Sequence, residues 1–106
     1  MTQFSLKIIS ELNTFHFDSI STHELPRVGE LVDVGSLYDL VPTEHEALGV
    51  RVTAIVHPVS SRGTMSVASP IVYCDYTAGV SKRLYMLMSE DSRWETTRNP
   101  NKIPIL

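Results

Sequence analysis

The sequence predicts an all-β fold, a small antiparallel barrel of SH3-like kind with about six strands and one short helical turn. Three observations lead there. Apolar residues recur at every second position through most of the chain, the spacing of a half-buried strand. The five glycines stand apart at 29, 35, 49, 63 and 79, each where a turn is predicted. The 106 residues, 42% hydrophobic and 20% charged, suffice for one core and are too few for two comfortable ones. Closing such a sheet also hides its edges.

The first strand is expected from Phe4 to Ile9, where Phe4, Leu6 and Ile8 share one side and Ser5 and Lys7 the other. Asn13-Thr14 reads as a turn. Phe15 and Phe17 then alternate with His16 and Asp18, so residues 3–20 form a hairpin. Leu25-Pro26-Arg27-Val28-Gly29-Glu30 redirects the chain, because Pro26 fixes φ and Gly29 tolerates a positive one. A short strand follows from Leu31 to Val34 and stops at Gly35; Leu37 to Val41 reads equally as strand or loop. The helical turn is expected over 43–48, capped by Thr43, with Glu46 three residues on and Gly49 at its end.

Val50 to Val59 is the strongest strand, ended by Pro58. Met65 to Tyr76 is extended but interrupted by Pro70, and Ile71 to Tyr76 is β-branched and aromatic enough for a central strand. After a turn at Thr77-Ala78-Gly79, Leu84, Met86 and Met88 alternate with Arg83, Tyr85 and Leu87, which predicts a last strand with both methionines in the core. The alternation fades beyond residue 89. The chain therefore divides into a barrel over 1–89 and a C-terminal extended arm over 90–106, which carries Pro100 and Pro104.

The segment from Leu25 to Val32, followed by Val50-Arg51-Val52-Thr53-Ala54-Ile55-Val56-His57, resembles small uncharacterised β-barrel proteins of bacteria, phages and mobile elements. In these a Pro-x-Val-Gly-Glu turn feeds a short strand and a Val-rich strand comes next. The resemblance covers residues 25–59, about a third of the chain. It implies a small barrel that binds other proteins, in one form as a phage or mobile-element inhibitor of a host complex. It brings no catalytic residue with it.

The residues offer little chemistry. Cys74, the sole cysteine, makes no internal disulfide, and its apolar strand suits a small buried hydrophobe better than a thiolate partnered by His57. The N-terminus lacks the pattern of a secretory signal and no apolar run approaches ~18 residues, so the expectation is a cytoplasmic protein that spans no membrane. His16, His23, His45 and His57 miss the i, i+4 spacing of a helical zinc pair, since Arg27 and Gly49 stand four residues after His23 and His45. Asp33 with Asp39, and Glu90-Asp91, sit near turns where solvated carboxylates are ordinary. There is no glycine-rich phosphate loop. The expectation is no enzyme, no metal and no cofactor.

What the sequence offers is a binding surface. Arg83 and Tyr85, then Arg93, Trp94 and Arg98, combine the side chains that most often dominate interfaces. The leading expectation is a protein-interaction module that uses these five residues, with a homodimer through an edge strand as a further option. The competing reading makes Trp94 a plug over the barrel's open end. On the first reading, deleting residues 93–106 leaves a folded protein that loses its partner.

Charge bears on the alternatives. Residues 1–49 carry two basic and eight acidic side chains, and residues 50–106 carry seven basic and four acidic ones. Where strands from both halves pair in one sheet, this asymmetry evens out. A net charge of −3 disfavours nucleic acid as partner. The alternatives are a single-stranded nucleic-acid-binding barrel, using Tyr73, Tyr76, Tyr85 and Trp94 with Arg51, Arg83 and Arg93, and a small ligand-binding or enzymatic barrel.

Overall fold

The alternating apolar residues of the N-terminal segment build a long hairpin. Strand β1 (Thr2–Ile9) pairs antiparallel with β2 (Asn13–Thr22), placing Ile8 opposite Phe15, Leu6 opposite Phe17 and Phe4 opposite Ile20. One residue lies between Phe4 and Leu6 while two lie between Phe17 and Ile20, so β2 carries a bulge. The Ser5 hydroxyl donates to the Asp18 carbonyl there at 2.8 Å. Such an extra residue bends the strand and strengthens its twist. The hairpin turn lies at Ser10–Leu12, where the Ser10 amide and hydroxyl both donate to the Asn13 carbonyl at 2.8 Å; Asn13 opens the second strand instead of making the turn.

The structure, a computed structural model, describes residues 2–41, 48–59, 63, 69–76 and 80–99. After the hairpin, the chain turns at Arg27–Glu30: the Glu30 amide donates to the Arg27 carbonyl at 3.0 Å, and Gly29 takes φ +94°. Strand β3 (Leu31–Asp33) leads into a 3-10 helix (Val34–Tyr38). Then come β4 (Gly49–Val56), β5 (Ile71–Asp75), helix α1 (Lys82–Glu90) and β6 (Trp94–Arg98). The six strands form one sheet in the order β3-β4-β5-β1-β2-β6, curled into a half-barrel, so the fold is all-β with one short α-helix. Neighbours are antiparallel except β1 and β5, which run parallel because the chain returns to the far side of β1 only after building β3 and β4.

The inner face carries the core. Phe4, Leu6, Ile8, Phe15, Val50, Val52, Val72 and Cys74 are all buried, and Leu84, Met88 and Trp94 join them from α1 and β6.

The expected last strand over 83–88 is a helix. Leu84 and Met88 are buried while Met86 is 60% exposed, which is an i, i+4 face and not an alternation. Every residue from Lys82 to Met88 except Tyr85 is a strong helix former and none is β-branched. Ser81 caps the start, its hydroxyl accepting from the Arg83 amide at 3.1 Å.

The segment expected to be an extended arm supplies β6, paired along Asn13–Phe17 of β2, and residues 100–106 lie outside the described residues. So do residues 43–47 of the expected helical turn, 65–68 of the Met65 stretch, and the Thr77–Gly79 turn. Among the described residues, no helix is long and apolar enough to cross a membrane.

Candidate functional site

The five residues that the sequence singles out for binding divide between core and surface. Trp94, on β6 opposite Phe17, is 4% exposed and meets the rings of Phe17 and Phe15 edge-on at 5.0 and 6.4 Å. Tyr85 on α1 is half-buried, edge-on to Phe15 at 5.2 Å and Tyr76 at 5.5 Å, and its hydroxyl accepts from the Asn13 amide side chain. Arg93 lies beside this aromatic group, its guanidinium over the rings of Phe17 and Tyr38 at 5.8 and 5.9 Å. These three therefore meet, with the indole turned inward. Arg83 stands apart on the first turn of α1, where Nη2 donates to the Val41 carbonyl at 3.2 Å. Arg98 is exposed at the other end of β6, opposite Asn13.

A polar chain fastens this aromatic group to the 3-10 helix. Trp94 Nε1 donates to the Tyr38 hydroxyl at 2.9 Å, and that hydroxyl donates to Asp91 Oδ2 at 2.8 Å. Asp91 also accepts from Arg93, through Nη2 at 2.8 Å, Nε at 3.1 Å and the backbone amide at 2.9 Å. These Arg93 donors, the side chain first, hold the Asp91 carboxyl well below the usual carboxylate range. Burial, then the Asp91 hydrogen bond, pushes Tyr38 up to about 12. Asp91 stays ionised and Tyr38 neutral near pH 7, so neither suits proton exchange with a substrate and the chain acts as a fastening.

A concavity lies elsewhere. An open cleft of about 930 Å³ is lined by side chains of β1, β2, the Glu24–Glu30 segment, β3 and the 3-10 helix. Phe4 and Leu6 form its floor. Ile20 and Thr22 of β2 form one wall, and Leu31, Val32 and Asp33 of β3 the other. β2 and β3 are not neighbours in the sheet; four steps of strand order separate them. They line one cleft because the sheet curls back without closing.

β6 pairs with β2 only along Asn13–Phe17, so among the described residues no strand pairs with that side of β2 from Asp18 to Thr22. Apolar side chains are exposed on the β3 wall and next to it: Val28 is 62% exposed, Leu31 64% and Leu37 38%. Three carboxylates, Glu24, Glu30 and Asp33, and one guanidinium, Arg27, supply the cleft's charge. Two of the carboxylates are fixed in place. Glu30 Oε1 accepts from the Arg27 amide at 2.6 Å and Asp33 Oδ2 from the Ser36 hydroxyl at 2.8 Å.

None of this lining was marked as a site in the sequence. The Pro26–Gly29 turn was legible as geometry. The signal that goes further is the apolar run Val28, Leu31 and Leu37 within an otherwise acidic segment.

The other candidates do not converge. Cys74 is fully buried and burial pushes its thiol up to about 12, so it stays protonated. It pairs with Val52, whereas His57 lies past the end of β4, about 16 Å farther along at ~3.3 Å per residue. His16 reaches Glu95 Oε2 only at 4.0 Å; His23 and His57 are exposed, and His45 lies outside the described residues. Among the described residues, no three His, Cys, Asp or Glu side chains come together as metal ligands would. Comparison with protein-family models, with curated proteins and with solved structures finds no match for this chain.

Proposed function

We propose that the protein is a non-catalytic protein-interaction module that receives an extended segment of a partner in the cleft between β2 and β3. One observation carries the reading: two strands with sides unpaired among the described residues, β2 beyond Phe17 and β3, line the same open, largely apolar cleft. An unpaired strand side offers a ladder of main-chain donors and acceptors, and strand addition is the usual way to use one. Exposed Leu31 and Leu37 supply apolar surface for anchoring side chains. The sequence resemblance adds the expectation that the partner belongs to a host complex which the protein inhibits. β6, the sheet's other edge, offers the same chemistry to a second copy of the chain.

The test is affinity capture from the source cell, comparing wild type with Leu31→Arg. Leu31 is 64% exposed, so the variant should fold normally. A partner held by the wild type and lost from the variant supports the reading. Equal capture by both overturns it.

A further inference from the structure

We infer that the cleft selects a basic, extended segment: about five residues in which aliphatic side chains alternate with lysine or arginine. The inference rests on the interaction-module reading and adds the chemical class of partner.

The geometry sets the length. The unpaired part of β2 runs from Asp18 to Thr22, five residues that span about 17 Å of strand. A segment pairing there turns alternate side chains toward the cleft and toward solvent. The inward positions meet Ile20, Val32 and Leu31, which favours aliphatic side chains.

The charge sets the rest. Glu24, Glu30 and Asp33 line the cleft against Arg27 alone, and Asp18 heads the unpaired stretch of β2. The internal hydrogen bonds to Glu30 and Asp33 each use one lone-pair position of a group that has about four, and they hold the oxygens still. An acidic segment would meet repulsion from Glu24, Glu30 and Asp33 that Arg27 only partly offsets, so the rim discriminates by exclusion as well as by attraction. The same repulsion turns phosphate backbones away from this cleft.

The probe is a pair of capped pentapeptides, Lys-Val-Lys-Val-Lys and Glu-Val-Glu-Val-Glu, titrated into the full-length 15N-labelled protein. Backbone amide shifts are read at low salt and again at high salt. The expected result is saturable binding of the basic peptide, with shifts confined to residues 18–37 and weakened by salt, and no binding of the acidic one. Glu24→Lys should weaken the basic peptide about threefold or more, the scale of one surface charge pair reversed. Leu31→Ser should weaken it about tenfold through lost apolar contact. Both positions are exposed, and an unchanged melting temperature confirms the fold of each variant.

Four results overturn the inference: equal or stronger binding of the acidic peptide, no binding of either at millimolar peptide, shifts centred on Lys7 and Tyr73 of the opposite sheet face, or shifts at 18–37 that follow protein concentration without peptide. The last identifies a second copy as occupant. If the basic peptide fails while Leu31→Arg still abolishes capture of a partner, the charge class is wrong and the cleft reading stands. If capture is also indifferent to Leu31→Arg, the module reading itself falls.

Discussion

Truncating Trp94 to alanine asks whether the chain's only tryptophan holds the fold together or waits for a partner. The indole is 4% exposed, edge-on to Phe17 at 5.0 Å and Phe15 at 6.4 Å, and hydrogen-bonded to Tyr38 at 2.9 Å. Removing a buried tryptophan side chain costs about 3–5 kcal/mol in lost transfer energy and residual cavity. A small domain has only about 5–15 kcal/mol in all. At about 4–8 °C per kcal/mol, Trp94→Ala should lower the melting temperature by at least about 12 °C.

Tyr38→Phe separates the polar share. It strands the Trp94 N–H without its acceptor, at about 1–3 kcal/mol, and the same change made in Trp94→Ala should cost less. Far-UV circular dichroism melts of the four proteins measure both quantities without relying on the fluorescence of the residue removed. If Trp94→Ala melts within about 3 °C of wild type, the indole is not part of the core and the packing argument is wrong.

Three further outcomes follow from the same framework. A β-carbon added at Gly35 would lie 2.6 Å from Leu48 Cβ, so Gly35→Ala should cost about 1–3 kcal/mol by overpacking, read as a lower urea midpoint. The Asp91 carboxyl is depressed by Arg93, so its stabilisation is fully present above its ordinary value of 3.8 and lost as pH falls through the lower folded value. The stability gap between wild type and Asp91→Asn should therefore be widest above pH ~4 and shrink below it, in urea titrations at stepped pH. Deleting residues 93–106 removes β6 and Trp94 together, leaving Phe15 and Phe17 uncovered and the outer side of β2 unpaired along Asn13–Phe17. The truncated chain should lack a cooperative melt, against the sequence-based expectation that it folds and merely loses a partner.

Period-two patterning sufficed for β1, β2, β4 and β5 because each has one face in the core. Over five residues it could not separate strand from helix at Leu84–Met88, since an apolar residue at 84 and 88 satisfies both periods. The arbiters were present at that place: Ser81 as a cap and no β-branched residue through the segment. β6 was invisible for a different reason. It is an edge strand with only Trp94 buried, and Glu95-Thr96-Thr97-Arg98 leaves no apolar alternation to detect.

The site was less legible than the fold. Trp94, Tyr85 and Arg93 were marked by residue type, and the structure does bring them together, but the tryptophan faces inward. The cleft was not marked. Its walls are consecutive in sequence but four steps apart in strand order, and nothing local to Ile20 or Leu31 announces that the sheet curls until they face each other.

Charge patterning is where sequence and structure rejoin. The acidic first half and basic second half of the chain invited the expectation that pairing within one sheet would average them out. Pairing does mix the halves: β1 lies between β2 from the first half and β5 from the second, and Arg51 of β4 stands opposite Asp75 of β5. Yet every ionisable residue lining the cleft comes from positions 24–33, because the cleft is built by the hairpin and by the segment that crosses from β2 to β3. Among the described basic residues of the second half, Lys82, Arg83, Arg93 and Arg98 are carried on α1, on β6 or in the Asp91–Arg93 pair and do not line it, whereas Arg51 of β4 donates to the Gly29 carbonyl at the turn beside it. The acidic excess is thus diluted over the molecule and kept at one place, beside the unpaired strand and the exposed leucines. A positively charged strand would be drawn there by the carboxylates of that segment.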